Sequence, residues 1–175
     1  MTHPVRYLLA TNTLYSIEIM TPNEIIILNL EEIRRRSIKL WSGVTPENYF
    51  WRPDVKAMHC LEMIRHVLEG EHLFHMIVNN RGNLGDYLSP WANRPYTDLQ
   101  AELDFAQPFR TAFLKTIQEF GPNDFSTIEI IRSEKGQRRI LGDYLQRIAY
   151  HEAVHTGQML SYLRTLGLDR PQIWD

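Results

Sequence analysis

The stretch YHEAVHTGQML, residues 150–160, places two histidines four positions apart inside an amphipathic helical pattern. Around a helix that turns 100° per residue, His151 and His155 fall on one line with Gln158. Tyr162 continues the line, which is the inward-facing stripe of the segment. Side chains four apart lie about 5–6 Å apart at Cβ, so both imidazoles can reach one metal ion. The spacing permits a metal site but leaves open that each histidine is a hydrogen-bonded core residue.

Helix start signals and apolar spacing predict four helices in the chain. In TPNE, residues 21–24, Thr21 can act as N-cap while Pro22 takes the first helical position and Glu24 closes a capping box. The first helix is therefore expected to begin near Thr21. WRPD, residues 51–54, supplies the next boundary, and the second helix is predicted from about Asp54 to Asn80.

The second half of the chain contains two further helices and a change of period. TDLQ repeats the capping-box pattern, so the third helix should start at Thr97 and bend or break at Pro108. The short β-branched runs STIEIIR and QRRIL, residues 126–132 and 137–141, predict a small hairpin around SEKG. The last helix is predicted from about Asp143 to Leu166, ending at Gly167.

Four amphipathic helices joined by one long connection, residues 81–96, predict an all-α fold. We expect an up-down four-helix bundle with a long crossover connection and a small β-hairpin before the last helix. The competing α+β fold would need more strands than the pattern offers. Residues 21–175 form one predicted domain, and residues 1–20 are an N-terminal extension of uncertain order.

Composition excludes several functional classes. The chain has 175 residues, 43% of them hydrophobic, and a formal net charge of −2 without a long run of one sign. This balance argues against nucleic-acid binding and against a membrane-surface patch. Neither a signal sequence nor a membrane-spanning apolar run is recognisable. The single cysteine rules out an internal disulfide and fits a reducing compartment, so we expect a cytoplasmic protein.

A metal site needs a third ligand, and the predicted second helix offers four histidines. His66 shares its spacing with inward-facing residues such as Gly70, which favours it. His59, seven residues earlier, is only about 20° out of line and stays open as a supporting residue. His72 and His75 lie toward the far end of the helix and are expected to be exposed or at the rim.

Three further predictions concern residues outside the histidine group. The run RRR, residues 34–36, is interpreted as a solvated helix face. Glu152 lies about 100° around the helix from His151, which favours a surface or supporting role over that of a general base. Cys60 lies about 120° around the axis from His66 and should point away from the metal.

Two segments resemble the DinB/YfiT-like metalloprotein superfamily, and the resemblance extends over most of residues 22–171. They are WRPDVKAMHCLEMIRHVLEGEHLF, residues 51–74, and HEAVHTGQMLSYLRTLG, residues 151–167. The resemblance implies that the metal is held by His66, His151 and His155. It also implies the up-down bundle with a long crossover, and a homodimer.

Three imidazoles with an open coordination position are typical of a catalytic rather than a structural zinc site. Zinc is the first choice, and nickel, iron or manganese also accept nitrogen ligands. Gln158 and Tyr162 are the candidate catalytic residues, because they could orient a water molecule or a small-molecule substrate.

The resemblance to bacillithiol- and mycothiol-dependent members implies a transferase that adds a low-molecular-weight thiol to an electrophile. A metal-dependent hydrolase, in which the metal activates water, is the alternative enzyme. A third hypothesis is a non-catalytic, stress-linked metal-binding protein.

Overall fold

The computed structural model describes residues 20–174 and the backbone of two short strands before them. The predicted extension, residues 1–20, therefore lies almost wholly outside the described residues, apart from the antiparallel pairing of those strands. In chain order the strands are β1 (Arg6–Leu8), β2 (Leu14–Ser16), β3 (Glu129–Arg132) and β4 (Gln137–Ile140). The helices are α1 (Pro22–Trp41), α2 (Cys60–Asn79), α3 (Leu99–Glu119), α4 (Asp124–Thr127) and α5 (Leu141–Leu166).

Local signals correctly predicted two helix boundaries and the hairpin. α1 begins at Pro22, where the backbone N–H of Glu24 donates to the Thr21 hydroxyl and the Glu24 carboxylate accepts from the Thr21 N–H. α5 ends at Leu166, and Gly167 adopts the left-handed conformation, with φ of 71°, that caps it. The predicted hairpin is present as the antiparallel pair β3–β4.

Two predicted helix starts are wrong. α2 begins at Cys60 rather than Asp54, because His59 caps it: Nδ1 of His59 accepts from the Glu62 N–H at 3.0 Å, and the Glu62 carboxylate accepts from the His59 N–H at 3.2 Å. α3 begins at Leu99, with Asp98 as its cap instead of Thr97. The helix continues through Pro108, so it does not break there, and a bend at this residue stays a prediction.

The fold is mostly helical, and its long helices share two apolar clusters, one at each end. The first cluster includes Trp41 of α1 and Leu61 of α2. The second includes Leu30 of α1 and Ile77 of α2. Along α1 and α5 the chain passes from the second cluster to the first, whereas along α2 and α3 it passes from the first to the second. α2 and α3 thus run in the same direction, which is why a long connection joins them.

A layer of charged side chains lies between the two clusters. Arg34 donates from Nε and Nη2 to the Glu152 carboxylate at 2.8 and 3.0 Å, and its Nη2 lies 3.4 Å from Glu71. Arg110 donates to Glu71 and, at 2.9 Å, to the Leu30 carbonyl. Arg34 is 5% exposed and Glu152 is 2% exposed. The predicted solvated face is therefore wrong for Arg34, and a surface position is wrong for Glu152, because each is buried against the other.

The long connection between α2 and α3 is anchored to the helices by Arg65. This buried side chain binds the Glu102 carboxylate of α3 at 2.5 and 2.9 Å. It also donates to the carbonyls of Arg94 and Pro95 in the connection, both at 2.7 Å. Among the helices described, none is long and apolar enough to span a membrane.

Candidate metal centre

Three imidazoles from two helices converge at one edge of the α2–α5 interface. Nε2 of His151 lies 3.1 Å from Nε2 of His66 and 3.2 Å from Nε2 of His155. The three ring nitrogens lie within 4.8 Å of one another. In the part of the chain described, this is the group of histidine, cysteine and acidic side chains whose spacing could hold a metal ion. The structure thus brings together the three residues that the sequence singled out.

His151 fits between the helices because α2 carries a glycine opposite it. A Cβ atom on Gly70 would lie 3.0 Å from Cε1 of His151, so any larger side chain would press on the imidazole. Phe74, one turn further along α2, contacts the same imidazole with ring centroids 5.7 Å apart. Gly70 and Phe74 together fix the position of the His151 ring.

The environment keeps two of the imidazoles neutral. Burial is the main cause that lowers the pKa of His151 to about 4, with smaller contributions from the positive charges that His155 and His66 would carry. Burial also lowers the pKa of His66, with a smaller contribution from His155. Neutral imidazoles present free lone pairs, which is the form that binds a metal. His66 is exposed while His151 and His155 are half-buried, so small molecules can reach the group from solvent.

The side chain of Gln158 forms a hydrogen bond with the imidazole of His155. Nδ1 of His155 lies 2.7 Å from Oε1 of Gln158. An amide oxygen can only accept, so Nδ1 carries the ring proton and the lone pair remains on Nε2, which faces the other histidines. The sequence aligned Gln158 with His155, but the inward orientation predicted for Gln158 is wrong, because its side chain is exposed. The partnership itself depends on side-chain geometry that spacing cannot give.

Tyr162 is engaged away from the imidazoles. Its hydroxyl donates to the Met58 carbonyl at 3.1 Å, and its ring packs edge-on against Trp51 at 5.4 Å. Tyr162 lies seven residues beyond His155, about 10.5 Å along the helix. The contacts described for Tyr162 hold the segment before α2 in place, and its catalytic role stays a prediction.

The remaining histidines of this region have other surroundings. His59 caps α2 and contacts the rings of Phe50 and Tyr96 at 5.1 and 4.8 Å. His72 and His75 are 8% and 4% exposed, so the prediction that they lie exposed or at the rim is wrong.

His72 and His75 are buried because neighbouring elements close over the end of α2. Tyr87 and Trp91 of the connection contact His72, and Thr116 of α3 bonds to Nε2 of His75 at 2.9 Å. The aromatic residues of the segment 81–96 are the feature of the sequence that could have predicted the burial of these two histidines.

The sequence model of the DinB superfamily matches residues 29–159, which is most of the chain and includes all three histidines. The chain belongs to the DinB superfamily. No curated protein matches it. Among solved structures, a DinB-like protein of Bacillus subtilis, YjoA, is similar, with a TM-score of 0.62, 22% identity, and coverage of 82% of this chain and 92% of that one.

A DinB-like protein of Bacillus cereus ATCC 10987 is similar to this DinB chain to the same degree. It has a TM-score of 0.63 and 19% identity, and the match covers 85% of this chain and 95% of that one. At such identities the likeness concerns the fold alone. The similarity therefore supports the arrangement of helices and carries no information on the reaction.

Proposed function

We propose that His66, His151 and His155 hold one divalent transition metal ion, and that this DinB protein uses it to transfer a small thiol to an electrophile. The observation that carries the proposal is the convergence of three Nε2 atoms from two helices at a solvent-accessible edge. The site residues come from α2 and α5, which pack against each other. Metal binding would therefore also join two helices.

The donor set fits a metal of the imidazole-binding group. Three nitrogens without a carboxylate or thiolate suit zinc first and also nickel, iron or manganese. Two of the three rings have a lowered pKa, so no proton has to be displaced from them near neutral pH. A divalent metal bound there would lower the pKa of an incoming thiol and present it for attack on an electrophile.

The chain itself supplies positioning rather than a nucleophile. Gln158 fixes the tautomer of His155, and Gly70 with Phe74 fixes the ring of His151. Cys60, the single cysteine, is fully buried, and burial raises the pKa of its thiol to about 11. A thiol that reacts at this site would therefore come from outside the chain, as a cosubstrate.

The metal itself can be tested by elemental analysis of the purified protein. We expect one divalent transition metal per chain, and loss of that metal in His66→Ala and His151→Ala. The matched control is His59→Asn, which removes a neighbouring imidazole but keeps a good N-cap. Folded ligand variants that keep stoichiometric metal with unchanged affinity would remove the basis of the proposal.

The reaction can be tested with the cobalt-substituted protein. Adding a small thiol should change the visible spectrum of the cobalt site, and a generic electrophile should then be consumed. His155→Ala should lose this activity, whereas Cys60→Ser should keep it because Cys60 is buried in the core.

The spectrum also separates the alternatives. If thiols leave it unchanged while metal-dependent hydrolysis proceeds without them, the protein is a hydrolase. That alternative is supported by the exposure of His66, which gives water access to the site. If neither reaction occurs and no added ligand reaches the metal, the non-catalytic metal-binding hypothesis replaces both.

The proposal also includes the topology of the helices, the oligomeric state and the cellular location. We interpret the four long helices, α1, α2, α3 and α5, as a four-helix bundle formed by residues 21–175, with neighbours antiparallel except across the long connection. The chain is proposed to act as a homodimer in the cytoplasm. Light scattering tests the dimer, and a monomer at high protein concentration would exclude it.

A further inference from the structure

A cavity of about 510 Å³ lies between α2, the long connection and the β3–β4 hairpin. Its walls include Leu73 of α2, Leu84 and Tyr87 of the connection, and Arg132 and Lys135 of the hairpin. None of the three histidines lines this cavity.

The cavity shares a helix face with the metal centre. Leu73 follows His66 by seven residues, so it lies within about 20° of the same face and about 10.5 Å further along α2. Phe74 bridges the same interval, because its ring lies 5.7 Å from His151 on one side and 5.7 Å from Tyr144 on the other. The histidine group and the cavity therefore lie one after the other along the same face of α2.

The hairpin side of the cavity carries an excess of positive charge. Arg132 and Lys135 line it together with one acidic residue, Glu134, which lies 3.2 Å from Arg132. Two cations against one carboxylate leave the lining with a net positive charge, which favours an anionic ligand.

The orientation of Arg132 follows from strand alternation. Ile130, two residues earlier on β3, is 1% exposed and faces the helices, so Arg132 lies on that inner face. Arg138 pairs across the hairpin with Ile131 and binds Glu129 at 2.7 Å, so it lies on the outer face. The two arginines of one hairpin thus point to opposite sides.

The opposing walls are also tied to each other. The backbone of Gly82 pairs with Ile131 of β3, and a Cβ atom on Gly82 would lie 2.0 Å from the Ile131 carbonyl oxygen. Asn83 donates its side-chain amide to the Ser133 hydroxyl at 2.7 Å. These contacts preform the cavity, so little ordering is required when a ligand binds.

We propose that the cavity formed by Leu73, Tyr87, Arg132 and Lys135 is a carboxylate-binding subsite for a reactant of the histidine centre. This inference rests on the proposed function, because it assigns the reactant's anionic end to the hairpin and its reacting end to the histidines. Leu73, on the wall of the cavity, lies about 10.5 Å along α2 from His66, which suits a small molecule whose carboxylate is several bonds away from the reacting atom.

The first experiment uses succinate as a probe on the metal-free full-length chain, followed by NMR. Saturable shifts should appear at the backbone amides of Arg132 and Lys135. Arg132→Gln and Lys135→Gln should each weaken succinate binding roughly fivefold, as expected for loss of one partly exposed charge pair. Arg138→Gln, which removes the same charge from the outer face, should leave the binding unchanged.

The second experiment uses two thiols on the cobalt-substituted protein. 8-Mercaptooctanoate, whose carboxylate is separated from the thiol by a seven-methylene chain, should bind roughly five- to tenfold more tightly than 8-mercaptooctanol, and Arg132→Gln should abolish the difference without weakening 8-mercaptooctanol. That result assigns the carboxylate to the thiol. Succinate binding with equal affinities for the two thiols assigns it to the electrophile instead.

The failures are distinguishable. Absence of saturable succinate binding, or an equal effect of Arg138→Gln, overturns the subsite and leaves the metal centre intact. If neither thiol perturbs the cobalt spectrum while succinate still binds at Arg132, the thiol-transfer proposal is wrong and the anion subsite stands.

Discussion

Gly70 lies directly against His151, with room for a hydrogen and no more between the α2 backbone and the imidazole. A Cβ atom at position 70 would stand 3.0 Å from Cε1 of His151. The glycine therefore costs α2 some intrinsic helix stability and provides the space that one metal-binding imidazole occupies.

Gly70→Ala should separate metal affinity from stability. The added methyl group displaces His151 by a few tenths of an ångström, and we expect metal affinity to fall about tenfold. The free energy of unfolding of the metal-free protein should be unchanged or rise by up to about 1 kcal/mol, because alanine favours the helix. Isothermal titration and urea unfolding measure the two quantities.

Gly157→Ala is the matched control for that substitution. Gly157 lies on α5 between His155 and Gln158, and a Cβ atom there would meet nothing within 4 Å. Its metal affinity should match that of the native protein. An equal loss of affinity in both variants would mean that the effect comes from the helix and not from contact with His151.

Gln158→Ala should lower metal affinity by roughly 10- to 100-fold, because His155 loses the acceptor that fixes its tautomer. Gln158→Glu should retain affinity, since a carboxylate also accepts from Nδ1. The control is Gln146→Ala, which removes another exposed glutamine of α5 whose amide partner is Asn29 at 2.8 Å. Competition with a chelator gives the affinities, and a native value for Gln158→Ala would contradict the assignment.

Arg34→Met should lower the free energy of unfolding by about 3–5 kcal/mol, because it leaves Glu152 and Glu71 buried with less compensation. The neighbouring Arg35→Met removes a bond to Glu32 on the exposed side of the same helix and should cost no more than about 1 kcal/mol. Urea unfolding of the two variants tests the contrast. Equal effects would place both arginines in comparable surroundings, against the burial described.

The stability of the metal-free protein should fall as the pH drops from about 6.5 to about 4. Burial is the main cause that lowers the pKa of His75 to about 4, with a smaller contribution from the positive charge of His72. Between these values the unfolded chain holds a proton that the folded chain excludes, so the free energy of unfolding rises with pH.

His75→Asn should reduce that slope by up to about 1.4 kcal/mol per pH unit, the contribution of one proton. Denaturant unfolding at several pH values between about 4 and 7 measures it. Parallel slopes in the native and variant proteins would show that His75 titrates normally in the folded state.

Features governed by neighbours in the sequence were predictable. The capping box at Thr21 and the left-handed Gly167 depend on a few adjacent residues, and both were correctly placed. The histidine group could be predicted because helical spacing aligns His151 with His155 and the family resemblance supplied His66. DinB membership agrees with that resemblance.

The features that could not be predicted depend on which elements pack together. Arg34 looks like part of a solvated run until Glu152 and Glu71 are brought opposite it from two other helices. His72 is buried by Tyr87 and Trp91. Both residues belong to the long connection, whose path cannot be predicted because its sequence has no periodic pattern. The role of Gly70 likewise requires the register of α2 against α5, which sequence spacing within either helix does not contain.

Because Cys60 is buried, its rate of alkylation reports how often the surrounding structure opens locally. The single thiol sits at the first position of α2, fully enclosed, so an alkylating reagent can modify it only when that turn comes apart. Each modified molecule gains one fixed mass, and intact-mass measurement over time therefore counts opening events directly. The same burial would protect the Cys60 thiol from the electrophilic substrates that the protein is proposed to bind.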